Sequence, residues 1–214
     1  CIKIHYILNY ERKIEFKKGK YLKSLFFVAM FVSIAYMVGL IAEAKGIKLS
    51  YDMVKQQKTN WCWAASAENS VRYETKNPRT QKSAVNKIKG TTRDAYPNVG
   101  GTLSDIKKAA VYISRNTESY FNSSLSRSSV KSFDFLKKEV SSGNVTILVA
   151  GYYNGSTRTG GHAVTMIGYD ITGGKNYLQI YDPWDGTINK CTYSNFKSGF
   201  GNRQYDGTLE SGII

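Results

Sequence analysis

The chain has 214 residues, 42% of them hydrophobic, and a formal net charge of +14, enough for one domain with a single core plus a separate terminal segment. The positive excess suits anionic surroundings and speaks to association rather than to fold. From residue 45 onward no block of like charges is interleaved with aromatics, so no nucleic-acid groove is supported, and neither an internal repeat nor an inter-domain linker is visible.

In chain order the first element is an export signal. Arg12, Lys13, Lys17, Lys18, Lys20 and Lys23 make a positive stretch, Leu25 to Ala42 carries no charge, and Ala42-Glu43-Ala44 supplies an A-x-A site. These are the three parts of a secretory signal peptide, so cleavage is expected after Ala44, with a secreted or envelope-associated product. An uncleaved anchor is the alternative, because an apolar run of 18 positions lies just inside the range that spans a bilayer. The chain begins with Cys1 rather than methionine, which marks its first residues as an extension of doubtful start. Setting aside the seven Lys/Arg and three Glu of residues 1–44 leaves residues 45–214 at about +10, a basic surface suited to an anionic envelope polymer.

Residues 45 to 60 read as extended or irregular. Helix signals begin at Trp61 or Cys62 and run through Tyr73, and Asn77-Pro78 ends them. Gly100-Gly101 reads as a turn before a second helix over Leu103 to Ile113, where Thr102 and Asp105 make a capping box. Residues 116 to 128 are Ser/Asn-rich and predict a loop. A third helix is predicted over Val130 to Ser141, with Gly143 as its terminator. After Gly143 the period changes from helical to alternating. Val145 to Tyr152 predicts a strand buried on both sides, a glycine-rich loop follows over Asn154 to Gly161, and strands are expected over His162 to Asp170 and Tyr177 to Asp182. Later short strands are expected over Thr187 to Tyr193 and Gly207 to Ile213. Helices first and an antiparallel sheet second is an α+β layout with a cleft between the halves.

Two residues of this stretch belong to one kind of chemistry. Cys62 stands in Asn60-Trp61-Cys62-Trp63-Ala64-Ala65-Ser66 at a helix start, and His162, the single histidine after residue 44, stands in Gly160-Gly161-His162-Ala163-Val164. A free thiol ionises near pH 8.5, and a helix N-terminus and an imidazolium each lower that value, so the pair reads as a thiolate and its cation. Two cysteines in an exported protein ordinarily suggest a disulfide, and a Cys62–Cys191 bridge is the alternative. The small-residue helix after Cys62 argues for a nucleophile instead, with Cys191 a lone thiol near a late strand. Asp182, in Asp182-Pro183-Trp184-Asp185-Gly186, is placed to orient His162, with Trp184 available to shield that bond. Asp185 competes for the role, and the string can also be a turn. An oxyanion donor is required as well. Gln56 and Gln57 are both available, and Gln56 lies six residues before Cys62.

Gln56, Cys62-Trp63-Ala64, His162 and Asp182 in this order resemble the papain-like cysteine peptidases, and over about residues 50 to 200 the chain looks like compact bacterial branches such as bacteriocin-leader peptidases and staphopain-type enzymes. The resemblance implies an α+β papain-like fold, its nucleophile helix packed on a C-terminal antiparallel sheet. It also implies an endopeptidase acting on polypeptide, with catalytic Cys62, His162 and Asp182, Gln56 at the oxyanion, and no metal or cofactor. The Cys-Gly-Ser-Cys-Trp form is replaced here by Thr59-Asn60-Trp61-Cys62-Trp63, so the disulfide built there cannot form, and Asp stands where papain has Asn. A thiol acyltransferase or deamidase, and an inactive papain-like binding protein of the envelope, are the rival readings.

Overall fold

The computed structural model describes residues 45–75, 77–92, 95–115, 121–124, 130–199 and 203–211. The export segment expected at residues 1–44 lies outside them, as does most of the stretch 116–128.

Three helices come first. α1 (Cys62–Glu74) is enclosed along its whole middle, every residue from Trp63 to Val71 being buried. Small side chains make that enclosure feasible: Ala64, Ala65, Ser66 and Ala67 let other elements approach its axis closely. Its buried polar residues act as ties. Ser66 Oγ donates to the Ala163 carbonyl at 3.0 Å, and Asn69 both accepts from the Val54 N–H and donates to the Val54 carbonyl.

α2 (Gln81–Lys89) corrects the sequence reading, which left residues 79 to 100 without a helix. Its signals are short but complete: Thr80 caps Ser83 N–H, and Gly90 closes the helix in the left-handed region at φ 65°. α3 (Leu103–Ile113) has the predicted bounds, and both bonds of the Thr102–Asp105 capping box are made. Gly101, expected only as a turn, lies against the Trp63 indole so closely that a Cβ would sit 2.4 Å from it.

The strands are β1 (Lys45–Lys48), β2 (Phe121–Ser124), β3 (Thr146–Asn154), β4 (Thr157–Thr172), β5 (Lys175–Asp182), β6 (Thr187–Thr192) and β7 (Arg203–Ser211). They form one antiparallel sheet in the order β2-β7-β3-β4-β5-β6, with β1 paired to the later half of β4. α4 (Phe133–Ser141) starts three residues later than predicted because Ser132 is its cap, and α5 (Tyr193–Ser198) is a turn of helix where the sequence suggested the end of a strand. The loop expected over Asn154 to Gly161 is a correction too. Only Gly155-Ser156 turn; Asn154 ends β3 and Thr157 to Gly161 belong to β4, where Gly160 and Gly161 pair with Tyr152 and Gly151 across the hairpin.

Both faces of the sheet are covered, as the unbroken apolar run of β3 required. Ile147 and Val149 join Trp61, Trp63, Val85, Ile106 and Ile113 on the α1–α3 side. Leu148 joins Leu136, Val140, Met166, Leu178 and Tyr205 on the α4 side. Among the described residues no helix is long and apolar enough to cross a membrane.

Candidate active site

Cys62 is the first residue of α1, and its two neighbours hold it there. Trp61 and Trp63 are fully buried, and their indole N–H groups donate to the Pro97 and Val99 carbonyls at 2.9 and 3.1 Å. With both rings held by the 97–99 segment, the residue between them is left half-exposed at the surface. The N-cap residue Trp61 makes no side-chain capping bond, and no acid lies in the first turn. The partial positive charge of the first-turn N–H groups is therefore left for the sulfur.

β4 brings His162 to that sulfur. His162 acts on the Cys62 thiol and lowers its pKa, and the hydrogen-bond partner of the ring is Asp182, whose Oδ1 lies 2.7 Å from Nε2. Nδ1 is thus the ring nitrogen left for Cys62. Burial alone would raise the Cys62 pKa. The His162 bond and charge, with backbone bonds to Ala163 and Trp63, outweigh it and hold the thiol below its usual value. Burial works against the His162 cation as well, yet the bonds to Asp182 and Cys62 and the charges of both raise its pKa to about 9. Asp182, despite burial, is held low by the bond and charge of His162 and by the Trp184 N–H, which donates to Oδ1 at 2.9 Å. All three shifts run in the direction of a thiolate, an imidazolium and a carboxylate in one chain.

One expectation needs adjusting, and two alternatives fall away. Trp184 is 58% exposed, so its contribution to Asp182 is its backbone N–H rather than shielding by its ring. Asp185 accepts from Thr187 and Gly186 closes the turn, so the competitor carboxylate is occupied elsewhere. Cys62 and Cys191 are both free, and no bridge joins them.

Gln56 is fixed differently from expectation. Its Nε2 donates to the Lys58 and Thr59 carbonyls at 2.9 and 2.8 Å, which engages both amide hydrogens, while Oε1 is enclosed with no donor among the described residues. The backbone around it is held from two sides. Gln56 N–H donates to the Pro183 carbonyl, joining this segment to the turn after Asp182. The fully buried Gln81 side chain accepts from Gln57 N–H and donates to the Lys55 carbonyl, so it pairs with the chain as a neighbouring strand would. Glu68 in turn accepts from Gln81 N–H and pairs with Arg72. The sequence reading missed Gln81. Its one signal is a glutamine in the first turn of a capped helix, and burial there is a tertiary fact.

Alternation along β4 places Gly161 and Ala163 on one cavity, of about 410 Å³ and also lined by Cys62, and His162 and Val164 on another, of about 350 Å³ and also lined by Asp182. The cysteine and histidine thus line separate cavities, on either side of β4. Among the described residues there is no cluster of His, Cys, Asp and Glu that would hold a metal ion.

Residues 48–208 match the profile of the peptidase C39-like family. No curated protein matches the chain. Among solved structures it is similar to digestive procathepsin L2 proteinase from Tenebrio molitor larval midgut, with a TM-score of 0.50 and 15% identity over 76% of this chain and 64% of that one. It is also similar to a chain from a structural study of antibody cross-reactivity between the mite allergens Blo t 1 and Der p 1, with a TM-score of 0.49 and 12% identity over 76% of this chain and 67% of that one. The chain thus spans about two thirds of the length of each. With its mixed helical and antiparallel-sheet layout, the protein belongs to the peptidase C39-like family and is a cysteine peptidase of papain-like fold.

Proposed function

We propose that the protein is an exported endopeptidase working through Cys62, His162 and Asp182. The observation that carries this reading is a cysteine at the first residue of a helix, its pKa lowered by His162, the ring of which lies 2.7 Å from Asp182 Oδ1. The Cys62 thiolate attacks a peptide carbonyl and the C–O π electrons move to oxygen. His162 gives its proton to the departing amine as the C–N bond breaks, leaving a thioester on Cys62. The neutral imidazole then takes a proton from water as its oxygen attacks the thioester, and the thiolate is released with the acid product. Asp182 keeps the ring oriented and favours its cationic form.

The donors assigned to the oxyanion are the Cys62 backbone N–H, unpaired within the helix as all first-turn N–H groups are, and the Gln56 amide. Gln56 exchanges a bond to Lys58 or Thr59 for the bond to the oxyanion. Room for a substrate beside the sulfur is given by the cavity of about 410 Å³ that Cys62 lines. Export rests on the basic stretch, apolar run and Ala42-Glu43-Ala44 site of the first 44 residues, and the net charge of the remainder supports attachment to an anionic envelope polymer.

Casein digestion by the parent and by Cys62→Ala tests the chemistry. The substitution removes the nucleophile, and turnover is expected to vanish. Equal cleavage by both proteins would refute the mechanism.

A further inference from the structure

The cavity beside Cys62 contains a charged group that the catalytic scheme does not use. Its wall is mostly apolar, formed by Trp63, Leu103, Ile106 and Val149, and it also includes Arg158 and Asp206. The Asp206 side chain is only 8% exposed. Its Oδ2 accepts from Tyr153 OH at 3.0 Å and from Arg158 Nε at 2.6 Å. Its Oδ1 is enclosed and has no donor among the described residues.

The backbone is arranged to put this carboxylate there. β7 pairs with β3 so that Tyr205 faces Ala150 and Gly207 faces Val149, which leaves Asp206 as an extra residue in a bulge. In a regular strand Asp206 and Gly207 would point to opposite faces; the bulge turns both towards the α1 side, while Tyr205 stays in the α4-side core. Two glycines make the bed for it. A Cβ on Gly151 would lie 2.2 Å from Asp206 Oδ2, and one on Gly161 would lie 2.5 Å from an Arg158 guanidinium nitrogen. Gly151 and Gly161 are register partners on β3 and β4, so the ion pair lies across a cross-strand glycine pair that no other residue type could replace without moving it.

The electrostatics of this pair are lopsided. The Arg158 side chain is 46% exposed, so water screens its charge, whereas Asp206 is enclosed and its charge acts on the cavity at lower effective dielectric. A carboxylate oxygen enclosed without a donor is costly, and a donor entering from the cleft relieves that cost. We propose that this cavity receives a substrate side chain and that Asp206 selects lysine or arginine there, Oδ1 accepting from the cationic head while the aliphatic stem lies on Trp63, Leu103 and Val149. The assignment rests on the peptidase reading above and names the substrate class of the same site.

The test is cleavage of a peptide library scanned with Lys, Arg, Leu and Gln at each position around the scissile bond, followed by mass spectrometry. Alkylation of Cys62 by iodoacetamide is measured in the same preparations. The full chain is expected to prefer Lys or Arg over Leu at one position by about 10- to 100-fold, the worth of a hydrogen bond to a charged group. Asp206→Asn should bring that ratio close to one. Arg158→Ala should raise it, because the competing cation is gone, and this second variant decides the matter if Asp206→Asn does not fold. A library cut without any basic preference while Cys62 is alkylated overturns this proposal alone, as does a preference that survives Asp206→Asn. No cleavage and no alkylation would overturn the catalytic reading and this assignment with it.

Discussion

Cys62 and Cys191 are both free and half-buried, yet their surroundings drive the two thiols in opposite directions. Cys191 sits on β6 with burial as its sole influence, and its pKa rises to about 11. Cys62 is buried too, but a hydrogen-bonded imidazolium and backbone bonds at the helix start more than reverse the effect. Removal from water by itself makes a cysteine inert. What converts one into a nucleophile is a cation and oriented dipoles supplied within that same enclosure.

Removing the cation breaks the contrast most completely. In His162→Ala the Cys62 thiol should behave as Cys191 does, its iodoacetamide rate at pH 6 collapsing and then climbing with pH. Peptide turnover should fall by about 10²–10⁴-fold from the loss of proton transfer alone. Peptide mapping of the alkylated cysteines reads the first effect, and retention of rapid Cys62 labelling at pH 6 would mean that the helix start, not His162, ionises the thiol.

A smaller loss sharpens the contrast by leaving the thiolate alone. Gln56→Ala is expected to lower kcat by about 10²–10³-fold, the share of one oxyanion donor, with the pH 6 alkylation rate of Cys62 unchanged. Parallel loss of both would show that Gln56 acts through the loop over residues 58–59 rather than on the oxyanion.

Asp182→Asn should have the mildest effect, about 10- to 100-fold on kcat/KM for a charge-assisted bond of roughly 1.5–3 kcal/mol. Its signature lies in the pH profile. On the proposed mechanism the parent works where Cys62 is a thiolate and His162 a cation, so its alkaline limb is expected near pH 9. Without the carboxylate the His162 pKa drops, and that limb should move to lower pH. The same shift has a stability side. His162 is raised above its unfolded value near 6.5, so its contribution is full below pH 6.5 and is lost as pH rises through about 9. An unmoved alkaline limb in a pH series of the variant would deny Asp182 its role.

The parts of this protein that could be read from its sequence are those governed by near neighbours along the chain. The bounds of α3 follow from Thr102 and Asp105, three residues apart. Cys62 at a helix start follows from the small residues behind it, and His162 and Asp182 follow from strand patterning around a single histidine. Less was legible where glycines did two jobs. Gly160 and Gly161 suggested a loop but serve a strand, Gly161 lying against Arg158, and α2 was missed because its nine residues hold only three apolar side chains, Ala84, Val85 and Ile88.

Sequence alone singled out the groups proposed for the chemistry, since candidates for nucleophile, base and orienting acid are recognised by residue type and local context. Tertiary structure decided their partners. Only folding shows that Gln56 has both amide hydrogens engaged, that Gln81 holds the chain on either side of it, and that a bulge turns Asp206 into the cavity beside Cys62. The physical reason is register: in a sheet a slip of one residue sends a side chain to the opposite face, and pairing between β3 and β7, more than forty residues apart, leaves no mark within either strand.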